Sequence, residues 1–253
     1  MRVRIVFNLN NRGSSLPFHH QLHIYKFIKS LTKIDSEIDI NFSGLKGQTK
    51  VGRKGLHYCS NKVTLVVSCK EEQIIKEIAE RLSEQNRITI GDLNLTLNRI
   101  DIEQIPNFQN KTKYLCISPI IINETQEILS PTSDEFSDCL YELIMDRMER
   151  SNFYSREQLN RFFNFQFVPD YSYINKMITN NKKISRKYAI DEVQDRVGYT
   201  LPFTLYAEPE VQDFVYTCGL GDYCHLGFGM IDVSTKETIQ VTEFIPSGKK
   251  ETA

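Results

Sequence analysis

Val63-Thr-Leu-Val-Val-Ser-Cys-Lys-Glu-Glu-Gln-Ile-Ile-Lys-Glu-Ile-Ala-Glu-Arg-Leu82 changes its hydrophobic period in mid-course. Its first residues are β-branched and read as the end of a strand over 56–68. From Lys70 the period becomes helical: Ile74, Ile78 and Leu82, flanked by Ile75 and Ala79, form one stripe of an amphipathic helix over 70–85. Upstream, residues 1–9 alternate as a strand that places Arg2 and Arg4 on one face. Pro17 then opens a helix to about Lys33, since proline suits the first helical turn, and a strand is expected near Glu37–Leu45. Downstream, Arg87–Ile102 returns to strand with a Gly91-Asp92 turn inside it. The order is β-α-β-β-α-β, a ferredoxin-like unit.

Ile105-Pro106-Asn107 through Lys111 reads as a linker, and the second half repeats the order. Tyr114–Ile122 is a strand. Ser133–Asn152 is a helix with Ser133 as N-cap and Phe136, Leu140, Leu143, Ile144 and Met148 as its apolar stripe. Residues 160–206 are strand-rich, Glu210–Thr217 is a short helix, and Gly227–Val233 is the last strand; the polar tail from Pro246 is expected to be loose. The fold class is therefore α+β, two tandem ferredoxin-like (RRM-like, βαββαβ) domains. The first covers 1–105; the second covers 112–245 and carries a glycine-rich loop over 219–229.

Composition narrows the function. Of 253 residues, 25% are charged and 40% hydrophobic, ordinary for a globular chain. No apolar run approaches the roughly 20 residues of a membrane helix, and the N-terminus lacks a secretory h-region; a cytoplasmic protein is expected. The six cysteines (59, 69, 116, 139, 218 and 224) lack Cys-x-x-Cys spacing and read as buried free thiols rather than zinc ligands or disulfides. The net charge of −1 speaks against indiscriminate nucleic-acid binding. Affinity for phosphates nonetheless depends on local clusters, and there are two: Lys46, Lys50, Arg53, Lys54 and Lys182, Lys183, Arg186, Lys187. Each could equally be a solvated loop.

Gly219-Leu-Gly221-Asp-Tyr-Cys-His225-Leu-Gly227-Phe-Gly229-Met-Ile-Asp-Val233 has four glycines among apolar residues. Successive N–H groups in such a turn can cradle a phosphate, and His225 lies in its middle. It is neither G-x-G-x-x-G nor a P-loop, since the spacing differs and no Lys-Ser/Thr pair follows. A purely structural glycine hairpin is the other reading.

The pattern G-h-G-x(5)-G-h-G (h apolar) before a C-terminal strand resembles the CRISPR-associated repeat-processing endoribonucleases, the sixth Cas family. Three further stretches agree in order and spacing. Met1-Arg-Val-Arg-Ile-Val-Phe-Asn-Leu9 is similar to the family's first strand. Leu16-Pro-Phe-His-His20-Gln21 with Ile24-Tyr25 and Ile28-Lys29-Ser30 is similar to its first helix. Tyr114-Leu-Cys-Ile-Ser118-Pro119-Ile120 is similar to its "L-S-P-I" strand. The resemblance implies binding of CRISPR repeat RNA and cleavage by the 2′-hydroxyl, leaving a 2′,3′-cyclic phosphate and a 5′-hydroxyl. It implies no cofactor and no metal, and as partners precursor and mature CRISPR RNA and effector-complex subunits, with the protein a monomer or homodimer. Main-chain N–H groups at Gly219, Gly221, Gly227 and Gly229, with His225, would hold RNA backbone, and the two basic clusters would grip flanking phosphates.

Such cleavage needs a general base and a general acid, and histidine titrates in the right range. The five histidines are His19, His20, His23, His57 and His225. At 100° per residue, His19 and His23 share the polar face of the first helix with Lys26 and Ser30, while His20 joins the apolar face as a core histidine. His23 is the leading catalytic candidate, with His19 beside it; Tyr25 matches the family's helix tyrosine. The chain departs from the family in one respect: the usual histidine after this helix is absent, for Leu31 to Leu45 contains none, leaving Lys33 and Lys46 as nearby cations. His23 or His19 substitutes, or His57 reaches in, or the chain is a non-catalytic repeat-RNA-binding subunit. A ferredoxin-like module unrelated to RNA is the remaining reading.

Overall fold

The computed structural model describes residues 1–32, 40–123, 128–191, 194–234 and 241–246. Two units separate by their internal packing: Met1–Ile105 with the described part of Ile239–Ala253, and Pro106–Thr238. In the first, the elements are β1 Arg2–Leu9, β2 Ser15–Pro17, α1 Gln21–Ser30, β3 Asn41–Phe42, β4 Thr49–Val51, β5 Gly55–Tyr58, β6 Lys62–Ser68, α2 Glu72–Glu84, β7 Ile88–Ile90 and β8 Leu93–Glu103. β1 lies between β6 and β8, antiparallel to both, and β3 adds to β6. The order β8-β1-β6-β3 is that of a ferredoxin-like sheet. Period 2 splits β1 between two faces. Val3, Ile5, Phe7 and Leu9 meet Ile24, Phe27 and Ile28 of α1 and the α2 stripe in one core. Arg2 and Arg4 share the opposite face, where both bind the Glu103 carboxylate, at 2.9 and 2.7 Å through their Nε atoms.

Local differences from the sequence reading have physical causes. α1 begins at Gln21 and not at Pro17, because Pro17 ends β2 in register with Gly55. A Cβ on Gly55 would lie 2.0 Å from the Leu16 carbonyl oxygen, so only glycine lets these strands close. The region over 56–68 is two strands: β2, β5 and β4 form a small separate sheet. Of the strand expected near 37–45, residues 37–39 lie outside the described residues, as does Lys33; Asn41–Phe42 is strand.

The second unit contains β9 Lys111–Cys116, β10 Ile120–Ile121, α3 Asp134–Arg150, α4 Arg156–Leu159, β11 Phe165–Pro169, α5 Tyr171–Thr179, β12 Ser185–Ala189, β13 Asp195–Tyr199, β14 Pro202–Ala207, α6 Pro209–Cys218 and β15 Ile231–Val233. Its sheet order, β15-β9-β14-β11, repeats that of the first. Both units are thus βαββαβ, and the tandem ferredoxin-like class holds. α3 buries Phe136, Leu140, Leu143, Ile144 and Met148, and its N-cap Ser133 accepts from the Phe136 N–H. Inserted between β11 and β14 are α5 and the β12–β13 hairpin, to which β10 adds a third strand. The strand-rich reading of 160–206 lacked the helix α5. Ser118-Pro119 interrupts the expected strand over 114–122, and the last strand starts only at Ile231.

The tail does not follow the boundary at 245. β16, Val241–Glu243, pairs with β8 at Glu103, Ile102 and Asp101 and so extends the first sheet. Among the cysteines, Cys59 is exposed and Cys116 and Cys139 are half-buried, against the expectation that they are buried alike.

Candidate nucleic-acid interface

In the first unit, α1 carries three neighbouring histidines with different fates. His20 is buried at the helix N-cap, and its Nδ1 lies 3.1 Å from the Pro17 carbonyl oxygen. Its Nε2 has no hydrogen-bond partner and faces Gly44, 3.1 Å from where a Cβ would stand. Burial lowers its pKa, and charge on His23 or His19 would lower it further. This is the core histidine expected from the helical face. His23 is exposed, its ring over the β7–β8 turn near Gly91, against which Leu16 also packs. His19 precedes the first helical turn, so the shared helical face assigned to His19 and His23 does not exist; His19 is exposed in the turn before α1.

Tyr25 follows His23 by two residues and leaves the helix about 200° away. It is half-buried against the core, with the Lys29 ammonium 5.9 Å from its ring centre. The structure therefore does not bring Tyr25 beside His23. His57 is the middle of a cross-strand row, opposite Ser15 on β2 and Lys50 on β4. Its Nδ1 lies 3.3 Å from the Gly13 carbonyl oxygen, and its ring occupies the space a Cβ on Gly52 would need. Lys50, Arg53 and Lys54 share the β4–β5 hairpin with it, all exposed, with exposed Lys46 just before it. This cationic hairpin and the His23-Lys26 face of α1 are what the first unit offers a polyanion.

In the second unit the glycine loop runs from the end of α6 into β15, through a 3-10 turn at Cys224–Leu226. All four glycines are buried. A Cβ on Gly221 would lie 2.5 Å from the Ile121 carbonyl oxygen. The N–H groups of Gly219, Leu220, Asp222, Gly227 and Gly229 donate to the carbonyls of Val215, Gly229, Ile121, Cys224 and Pro119 at 2.7–3.0 Å. The backbone cradle read from the sequence at Gly219, Gly221, Gly227 and Gly229 is thus largely turned inward: the N–H groups of Gly219, Gly227 and Gly229 bond protein carbonyls, and Gly221 and Gly229 make room for the carbonyl oxygens of Ile121 and Leu220. The outer surface belongs to side chains. His225 is exposed, and Tyr223 is half-exposed with a left-handed φ of 57°. Asp222 turns back to accept the Asn123 N–H at 2.7 Å, and burial raises its pKa.

Sequence reasoning missed Arg147 on α3. Its guanidinium donates to the carbonyl oxygens of Cys218 at 2.7 Å and Gly219 at 2.9 Å. The signal was there: Arg147 follows Leu143 by one helical turn and abuts Met148, so a cation borders the apolar stripe. The second basic cluster is exposed as expected. Arg186 and Lys187 lie on β12, with Lys182 and Lys183 just before it. Among the described residues no three His, Cys, Asp or Glu side chains gather as a metal would require. Nor is any helix among them long and apolar enough to cross a membrane.

Comparison with known proteins gives a consistent result. The family model described as CRISPR associated protein Cas6, C-terminal, matches residues 103–233, which include the whole glycine loop. A CRISPR-associated endoribonuclease-like protein Cas6 of Pyrococcus furiosus is 24% identical over 72% of this chain and 73% of its own length. A CRISPR-associated endoribonuclease-like protein Cas6nc of Pyrococcus horikoshii is 22% identical over 91% of this chain and 98% of its own. Among solved structures, one described as a RAMP protein binding different RNA substrates superposes with a TM-score of 0.74 at 19% identity, covering 92% of this chain and 99% of that one.

Proposed function

The chain belongs to the CRISPR-associated Cas6 family, and on that premise we propose that it binds CRISPR repeat RNA and cuts it within or beside the repeat. The family match over 103–233 carries the reading. The exposed histidines and cations of both units support it, because RNA recognition draws on phosphate contacts and stacked single-stranded bases.

The chemistry is proposed as transesterification within the RNA. A base takes the proton of a 2′-hydroxyl, whose oxygen attacks the adjacent phosphorus. The bond to the next 5′-oxygen breaks, and an acid protonates the leaving oxygen. The products are a 2′,3′-cyclic phosphate and a 5′-hydroxyl, and no cofactor is consumed. His23 is assigned the general acid/base role, with His57 or His19 as partner; Lys26 and the cationic hairpin supply positive charge near the phosphate. Tyr25 enters only if RNA also contacts the Lys29 side of α1. The Lys182, Lys183, Arg186, Lys187 cluster holds flanking phosphates, and the loop contributes through Tyr223 and His225. The protein is proposed to act in the cytoplasm and to hand its product to effector-complex subunits.

A second reading, a repeat-RNA-binding subunit without cleavage, is favoured by the lack of histidine over 31–45 and by the divergence of His23 and Tyr25 on α1. Labelled repeat RNA incubated in EDTA decides. Binding with cleavage, abolished by a 2′-deoxy nucleotide before the cut, supports the leading reading. Binding without cleavage supports the second, and cleavage that requires Mg²⁺ refutes the metal-independent mechanism.

A further inference from the structure

We infer that Arg147 is a positioning residue: its guanidinium fixes the glycine loop in the shape from which Tyr223 and His225 meet repeat RNA, and it touches no phosphate itself. The inference rests on the proposed RNA-binding function. α6 ends at Cys218 with no basic residue in its last turn, so its terminal carbonyls and the negative end of its dipole need a cation from elsewhere. Arg147 supplies it. Nη2 donates to the Cys218 oxygen at 2.7 Å; Nη1 donates to the Gly219 oxygen at 2.9 Å and lies 3.4 Å from that of Gly221. Nη1 also lies 3.3 Å from Cys224 Sγ, and the guanidinium carbon sits 5.4 Å from the Phe214 ring centre. One planar fork thus ties the end of the helix to both sides of the first glycine turn.

The loop needs such a tie. Gly219, Gly221 and Tyr223 all have positive φ, at 87°, 91° and 57°. Glycine accepts this freely and therefore holds no single shape, while for tyrosine the left-handed region costs about 1–2 kcal/mol. Without the clamp, Tyr223 would relax toward ordinary angles and carry neighbouring His225 with it. Nη1 and Nη2 of Arg147 are directed at protein carbonyls and Cys224 Sγ, so the residue should release no RNA counterions. Lysine keeps the charge but lacks the fork.

Arg147→Met and Arg147→Lys in the full chain test this, by melting temperature and by repeat-RNA affinity across salt concentrations. Folded R147M is expected to bind more than tenfold more weakly with an unchanged slope of log affinity against log salt, and R147K to fall between it and wild type. Folded R147M that binds like wild type overturns the inference. So does a slope flatter by about 0.7–0.9, which would mark Arg147 as a phosphate ligand. Should R147M not fold, R147K decides alone: weaker binding at near-native melting supports positioning, and unchanged affinity overturns it. Wild-type protein that fails to bind repeat RNA would refute the functional reading itself, an outcome distinct from failure of the Arg147 role.

Discussion

Gly221→Ala is expected to lower the melting temperature of the RNA-free protein by about 4–20 °C. The new Cβ would stand 2.5 Å from the Ile121 carbonyl oxygen and 3.2 Å from Ile120 Cγ2. That carbonyl cannot swing aside without cost, because it accepts the Asp222 N–H at 2.8 Å. Holding alanine at a φ of 91° adds strain of about 1–2 kcal/mol, and crowding a packed backbone adds about 1–3 kcal/mol. The sum, about 2–5 kcal/mol, converts at roughly 2–4 °C per kcal/mol for a unit of this size. Scanning calorimetry without RNA, followed by titration of the folded variant with repeat RNA, separates two uses of the glycine. If its space serves Ile121, the free protein melts lower. A variant that melts within about 2 °C of wild type yet binds RNA more than tenfold more weakly would show that the space is kept for RNA and refute the inward reading.

His23→Ala is expected to slow cleavage by about 10²-fold or more, with repeat-RNA affinity little changed, as befits one general acid/base; single-turnover kinetics measure it, and a wild-type rate with a slow His57→Ala variant would move the role to the hairpin. For His20 the sign follows from burial, which lowers its pKa below the ordinary 6.5. The unfolded chain takes up a proton that the folded chain resists, so stability is full above about pH 6.5 and falls as pH drops from there toward the lowered value. A His20→Asn variant, less stable overall, should lose part of that acid dependence in melting experiments; identical pH profiles would count against it. Replacing Lys182, Lys183, Arg186 and Lys187 with alanine should flatten the salt dependence of RNA binding by about 0.7–0.9 for each phosphate left without its cation, and an unchanged slope would show that the cluster is only solvated.

What was legible in the sequence was whatever short-range periodicity determines. The α2 stripe of Ile74, Ile78 and Leu82, the α3 stripe with its Ser133 cap, and the alternation of β1 depend on neighbours within a few residues. Hydrophobic burial then enforces them in the fold. His20 was legible for the same reason, since it falls on a helical face with Ile24, Phe27 and Ile28. The start of α1 was not. Pro17 suits a first helical turn by its own geometry, but Gly55 lets β5 close on Leu16 and Pro17, and that pairing takes proline into a strand. The displacement removed His19 from the helix and with it the inferred histidine pair. α5 was hidden for a related reason: of its nine residues only Ile174 is buried, so there is little apolar period to read.

The glycine loop marks the limit of what residue types can say. Glycine is required wherever a side chain would collide, and the sequence does not disclose with what. An RNA phosphate and a protein carbonyl leave the same letter. Here the Ile121 oxygen fills the space beside Gly221, and the Leu220 oxygen stands 2.1 Å from where a Cβ on Gly229 would be. The loop N–H groups that would have cradled phosphate are largely spent on such carbonyls. The recognition proposed for this loop would therefore pass from its backbone to the side chains it carries outward. Of those, Tyr223 is held in a conformation tyrosine disfavours, and His225 is exposed to solvent. A loop shaped only to close a hairpin would have no need of tyrosine at a left-handed position, where glycine or asparagine would fit with less strain. That mismatch makes the outer face of the loop, rather than its glycines, the place to look for RNA.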